Sequence, residues 1–272
     1  MKKIFIFSLT TILVLLSFGK ISLAAFVCTP MEFHLDVPSG EERTQTFWVR
    51  NRGDETIALK VYTGDFWIKP DGNEVFLEPG EVERSCATWL QVAPEELELA
   101  PDESSAIRFN IIVPPGKSGT YWGMIFVEQT NKPTIKTAKK GESQFNILSF
   151  QRVGVRIFEN APGATTPSEG KINEVNVGWD KEKGQLEIGL KFENEGDVLL
   201  KCKGTVEIKD MKGETVKGIE LDEFNSYPRA SRTKKAFLKE VLDPGHYTVV
   251  VIIDYGAEHL VAGEAVFEVK GN

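Results

Sequence analysis

Residues able to do chemistry are scattered along this 272-residue chain. The three histidines, His34, His246 and His259, share no ligand spacing and have no cysteine or carboxylate cluster beside them, which argues against a metal centre. No Gly-x-Ser-x-Gly elbow, phosphate loop or dinucleotide fingerprint occurs, so nucleophilic and nucleotide chemistry have no foothold. The acidic pairs Glu41-Glu42 and Glu95-Glu96 flank turns, where solvated loop ends explain them better than a glycosidase pair does. Arg52-Gly53-Asp54 matches an adhesion tripeptide, but a second copy of the same turn, Asn194-Glu195-Gly196-Asp197, keeps the turn residues and lacks the arginine. The expectation is a protein without catalytic residues, cofactor, metal or small-molecule substrate. A net charge of -8 and a pI near 5.2 also argue against a sequence-independent grip on nucleic acid, which needs a basic surface.

With no reactive constellation to position, the elements themselves carry the question. Residues 143–158 (SQFNILSFQRVGVRIF) form the longest strand-like stretch, stopped by Asn160-Ala161-Pro162-Gly163. Its second half alternates Val153, Val155 and Ile157 against Arg152, Gly154 and Arg156. Its first half breaks that alternation, with Phe145 and Ile147 on one parity and Leu148 and Phe150 on the other, so both faces need cover or a bulge shifts the register. Such a strand either fills its own core or awaits a partner.

Around it the grammar is short strand, turn, short strand. Residues 105–113 place Ile107, Phe109, Ile111 and Val113 opposite Arg108 and Asn110, predicting one wet face, whereas 121–127 is apolar on both parities and belongs inside a sheet. Asp71-Gly72, Pro79-Gly80 and Lys212-Gly213 mark turns. Residues 130–142 (TNKPTIKTAKKGE), with their lysines and little to bury, read as a mobile loop joining a hairpin. Residues 159–170 are rich in Pro, Gly, Thr and Ser and read as a boundary, after which 186–192 and 261–269 alternate again. Two echoes relate the halves: the Asn-x-Gly-Asp turns at 51 and 194, and Gly119-Thr120-Tyr121 against Gly245-His246-Tyr247, each opening a doubly apolar strand with a tyrosine suited to a tyrosine corner. Of the five tryptophans, Trp48, Trp89, Trp122 and Trp179 sit in strand patterns and are expected in cores, leaving Trp67 as the one expected to be exposed. The fold class expected is all-β, two tandem immunoglobulin-like β-sandwiches following a cleaved signal peptide, with segments 1–24 (signal), 25–160, 161–170 (linker) and 171–272.

Four stretches in order support a comparison: Phe47 and the strand leading to Asn51 with its Gly-Asp turn, Trp89-Leu90-Gln91-Val92-Ala93-Pro94, Leu99-Ala100-Pro101-Asp102-Glu103-Ser104, and Val113-Pro114-Pro115 followed by Gly119-Thr120-Tyr121. Together they resemble the N-terminal domain of PapD-like periplasmic chaperones over roughly residues 26–158, and the second half resembles a generic immunoglobulin-like domain of bacterial surface proteins. The resemblance implies a non-enzymatic protein that binds a secreted or surface protein subunit by strand addition, in the periplasm or at the cell surface. On it the candidate partner-binding residues are Leu148, Phe150, Val153, Val155, Arg156 and Ile157, with Arg156 near the place of a lysine that anchors a subunit's terminal carboxylate. The family's companion arginine on the first strand has no counterpart, because residues 28–37 contain neither arginine nor lysine. The alternative is a structural or adhesive module binding cell wall or glycan through loops or exposed aromatics.

Export is read from the N-terminus: Lys2 and Lys3 precede an apolar run over 4–18, and Ser22-Leu23-Ala24 supplies the small residues a signal peptidase reads. In an oxidising compartment Cys28 and Cys86, in the same half, are the candidate disulfide, and Cys202, sharing parity with Val206 and Ile208, is a small core residue. The exported protein is expected to begin near Ala25, which N-terminal sequencing of secreted material checks; an intact Met1 on that material refutes it.

Overall fold

The computed structural model describes residues 26–131, 134–140, 143–163, 168–180 and 182–270, with the backbone alone over 134–140 and 143–149. The strands of the first half are β1 (Phe26–Thr29), β2 (Glu32–Leu35), β3 (Glu42–Asn51), β4 (Ile57–Ile68), β5 (Glu74–Leu77), β6 (Leu90–Ala93), β7 (Glu96–Leu99), β8 (Ser104–Ile112), β9 (Gly119–Gln129), β10 (Thr134–Lys140), β11 (Ser143–Ser149) and β12 (Arg152–Ala161). Those of the second are β13 (Gly170–Asp180), β14 (Gln185–Asn194), β15 (Leu200–Lys209), β16 (Thr215–Ser226), β17 (Ser231–Leu238), β18 (Gly245–Asp254) and β19 (Val261–Val269). Two sandwiches result. In the first, the sheet β1-β3-β8-β6 faces the sheet β2-β12-β9-β4-β5, with β7 beside β4; in the second, β13-β14-β17 faces β16-β15-β18-β19.

Alternation decides which side chains enter each core. On β8, Ile107, Phe109 and Ile111 are buried against Phe47 and Val49 of β3, while Arg108 stays in water. The doubly apolar β9 lies between β12 and β4, with Ile125 and Val127 in the sandwich core. Its other parity, Trp122, Met124 and Phe126, joins a second cluster with Phe66, Phe158 and Tyr227, so the outer face of the first sandwich is closed by the second. Burying each of these large side chains contributes roughly 1.5–3 kcal/mol.

Of the two echoes, the Asn turn is a real structural repeat and the tyrosine is not. Asn51 and Asn194 are fully buried. Asn51 Nδ2 donates to the carbonyls of Glu55 (2.8 Å) and Leu99 (3.0 Å) while its Oδ1 accepts from the Gly53 N–H. Asn194 repeats the scheme with Val198 (2.8 Å), Ser226 (2.9 Å) and Gly196. The tyrosine corner forms in the second sandwich only, where Tyr247 donates to the Asp243 carbonyl at 2.9 Å; Tyr121 instead packs on the Trp89 ring.

Asp197, the last residue of the second Asn turn, locks the sandwiches together. Its carbonyl accepts from Thr120 N–H (2.8 Å), and its carboxylate is shared by Arg84 and Arg229. Gly119, at φ +81°, makes the approach possible: a Cβ there would lie 2.4 Å from the Asp197 carbonyl oxygen. Thr120 Oγ1 accepts from Leu199 N–H, and Thr233 N–H donates to Pro70 O across the same interface.

Three expectations are corrected. Residues 143–158 are two strands, because among the described residues β11 pairs with β10 alone and the strand breaks at Phe150-Gln151 before β12 begins its register with β9. The lysine-rich 134–140 is strand β10, paired through to Ser149, and not a connecting loop. Cys28 and Cys86 are both free and buried: Cys28 pairs with Val49 in one sheet, while Cys86 hangs from Trp122 O of the facing sheet. Burial pushes the Cys28 thiol up to about 12 and raises Cys86 well above the ordinary thiol value, so both behave as small apolar residues. Cys202 is buried beside Val206 and Ile208 as its parity predicts.

Glu159 closes the end of the β12 core stripe. It is wholly buried, its Oε1 accepts from Val37 N–H at 2.7 Å, and its Oε2 has no partner. Burial, opposed by the Val37 bond and Arg43 and assisted by Asp36, raises the carboxyl from 4.5 to about 7. Since the folded group keeps its proton to higher pH than the unfolded chain, its contribution to stability falls as pH rises from about 4.5 to about 7 and levels off above. Glu159→Gln retains the acceptor for Val37 and is expected to remove that fall, gaining about 1–2 kcal/mol at pH 8 after allowance for screening; urea unfolding at pH 5, 6, 7 and 8 checks it. Asp197→Asn is expected to cost about 1–3 kcal/mol and to separate the melting of the two sandwiches in calorimetry. Asp54→Asn, the exposed counterpart in the first turn, should stay within about 0.5 kcal/mol of the parent.

Candidate functional site

The candidate site is the outer flank of β12 together with the cleft beside it. β9 pairs with β12 along its whole length, from Arg152 to Ala161, but β2 covers the other flank only from Arg156 to Glu159. Arg156 N–H donates to Met31 O on that side, so by the two-residue repeat the backbone groups of Arg152 and Gly154 point the same way. Among the described residues no strand pairs with β12 there. β11 precedes β12 along the chain in a separate two-stranded sheet, where among the described residues it pairs with β10 alone.

Side chains of the proposed set divide sharply. Val155 and Ile157 are fully buried and Val153 packs against the same core, so all three fill their own sandwich and are not free to enter a partner's. Phe150 is exposed at the break between β11 and β12. Leu148 has a described backbone, paired with Ile135, but its side chain lies outside the described residues. Arg156 faces the opposite way from the aliphatics, into the cleft between the sandwiches. Its guanidinium lies over the Phe66 ring at 5.7 Å and donates to both oxygens of Glu74, at 3.0 and 3.2 Å.

That cleft has a volume of about 280 Å³ and is walled by Glu32, Arg156 and Phe158 on one side and by Tyr227, Arg232 and Lys234 on the other. Arg232 Nη1 donates to Lys69 O at 3.0 Å, whereas its buried Nε has no partner, and desolvation holds its pKa below the ordinary arginine value. Lys234 lies over the Phe224 ring at 5.3 Å. The cleft therefore carries three cations against Glu32, Glu74 and Glu223, and its second wall comes from a strand whose role sequence reasoning missed. A signal was present: Arg232 and Lys234 share parity with Ala236 and Leu238, which are buried, so two cations occupy the inward face of β17.

The tryptophans depart from expectation. Trp48 and Trp179 are more than half exposed on outer strand faces, while Trp67 is half-buried, stacked on the buried Trp122 at 5.9 Å. Trp48 alternates with Phe47 and Val49, and that parity places it outward.

No family model matches the chain, and no curated protein does. Among solved structures it is similar to the chaperone in a chaperone and tip-adhesin complex of CFA/I fimbriae biogenesis, with 16% identity, TM-score 0.47, and coverage of 89% of this chain and 98% of that one. The class 5 fimbriae chaperone CfaA shows 15% identity and TM-score 0.44, covering 91% and 99% of the two chains. The E. coli chaperone DraB shows 16% identity and TM-score 0.41, with 90% and 95% covered.

Proposed function

We propose that the chain is an exported, non-enzymatic protein-binding protein, a chaperone or assembly factor of the PapD-like kind that takes up a strand of a secreted protein subunit. The observation that supports this reading is the flank of β12 that has no strand partner among the described residues over Arg152, Val153, Gly154 and Val155, with β11 preceding it in the chain. A partner strand laid there gains a main-chain ladder from β11 and from Arg152 and Gly154, with Phe150 as an exposed apolar anchor. Val155 and Ile157 serve as the rigid backing of the strand, not as its probes. The partner's terminal carboxylate has a place in the adjoining cleft. Arg156 reaches it only by sharing with Glu74, so Arg232 and Lys234 carry more of the attraction than a lone Arg156 would.

A second reading, a module that binds glycan or cell wall, draws on the exposed indoles of Trp48 and Trp179. One experiment separates the two. Pull-down from an envelope extract is done with the parent, with Leu148→Ser/Phe150→Ser and with Trp48→Ala/Trp179→Ala, alongside retention on isolated cell wall. Strand addition predicts that the first double variant loses about tenfold or more of the captured subunit, about 1.4 kcal/mol or more, while the tryptophan variant captures normally. Normal capture by the Leu148/Phe150 variant, with cell-wall retention that depends on the tryptophans, overturns strand addition in favour of the second reading.

A further inference from the structure

On a separate part of the interface between the sandwiches lies a half-open pocket of about 300 Å³ that the strand-addition reading does not use. Its floor is aromatic: Trp122 is buried, and the half-buried Trp67 stacks on it with ring centres 5.9 Å apart. Trp122 Nε1–H is already given to Phe66 O at 3.0 Å, so the floor offers ring faces and no free indole donor from that residue. Val82 and Pro228 add apolar wall, one from each sandwich.

The rim is charged and unbalanced. Arg84 and Arg229 stand on it, but both are bound to the single carboxylate of Asp197. Glu81 and Glu83 stand on it too, and neither forms an ion pair among the described residues; Glu81 only accepts from Glu78 N–H. Of the four charged side chains on the rim, the two arginines are already bound to Asp197 and the two glutamates have no cation among the described residues. An anion entering here meets two unsatisfied carboxylates; a neutral apolar group gains the floor but nothing at the rim. A cation on an apolar stem satisfies both, its stem along Val82 and Pro228, its head between Glu81 and Glu83 and within reach of the indole faces, whose quadrupole attracts positive charge. The volume, at the small end of the range of about 300–1,000 Å³ for ligand pockets, suits one side chain and not a cofactor.

We infer that this pocket receives an arginine or lysine side chain presented by a bound polypeptide, contacting both sandwiches at once. The inference stands on the pocket and holds whether or not β12 accepts a strand.

The test uses the whole mature chain and watches the indole N–H resonances of its tryptophans, with Trp67 assigned through Trp67→Phe. The probes are the capped peptides acetyl-Gly-Arg-Gly-amide and acetyl-Gly-Lys-Gly-amide, against the same peptides carrying Glu or norleucine at the centre, and against free putrescine. The basic peptides should shift the Trp67 and Trp122 resonances saturably, leave those of Trp48 and Trp179 in place, and weaken with added salt. Glu81→Gln/Glu83→Gln, whose changed side chains are exposed, should keep the dispersion of a folded spectrum and bind about tenfold more weakly. Absence of shifts up to the solubility limit overturns the inference. So do equal shifts from the Glu or norleucine peptides, binding by putrescine alone, or unchanged affinity in the Gln variant.

Discussion

The structure depends on the removal of water from both faces of β9. One face is the ordinary interior of a sandwich, where Ile125 and Val127 meet the strands of the opposite sheet. The other, bearing Trp122, Met124 and Phe126, would be a large apolar patch on an isolated sandwich, of the kind monomeric proteins rarely leave open. Tyr227 of the second sandwich and Phe66 of the β4–β5 arm cover it, with the Tyr227 ring edge to face with both Trp122 and Phe66. Association of the two sandwiches is thus driven by the same effect that folds each of them. The Arg84–Asp197 ion pair and the Thr120 N–H bond to the Asp197 carbonyl select one orientation among those the apolar contact alone would allow.

This coupling explains why the cleft and the free flank of β12 occur together. β12 borders β9, so the face that carries Phe158 into the shared cluster also turns Arg156 toward the gap between the sandwiches. The opposite parity anchors the strand, through Val155 and Ile157, in its own core. A strand held on one edge and one face, with its remaining edge partly open, is rigid without being fully paired. Rigidity of that kind lowers the ordering cost that a partner meets on binding.

Much of this was legible in the residues. The alternation of β8, the doubly apolar β9 and the two Asn-x-Gly-Asp turns each follow from local pattern and appear where the pattern puts them. What failed were inferences about partners distant in sequence. The lysines of β10 suit a loop, yet pairing with β11 makes a strand of them, since cross-strand hydrogen bonds override a weak local preference. Parity showed that Val155 and Ile157 share a face, but only the packed sandwich shows that this face is already full. The Cys28 and Cys86 pairing was argued from compartment and half alone, and the fold holds them as separate core residues, one on β1 and one in the turn after β5. In the cleft, Arg156 was found and its bond to Glu74 was not, because nothing local joins β12 to β5. Arg232 lay 76 residues further along, on a stretch whose alternation was not read.

The repeated Asn turn has an evolutionary reading. In the first sandwich the turn ends in Asp54, exposed and structurally idle; in the second the same position is Asp197, whose carbonyl and carboxylate both reach across to the neighbour. If the two halves descend from one ancestral module, the joint between them needed no new element. A turn already stiffened by its buried asparagine was in place, and the first module had only to present a glycine at 119 and a cation at 84 to receive it. Tandem copies of a module come with matched sockets of this kind, and a two-part protein can then acquire a fixed elbow through a few substitutions on one side.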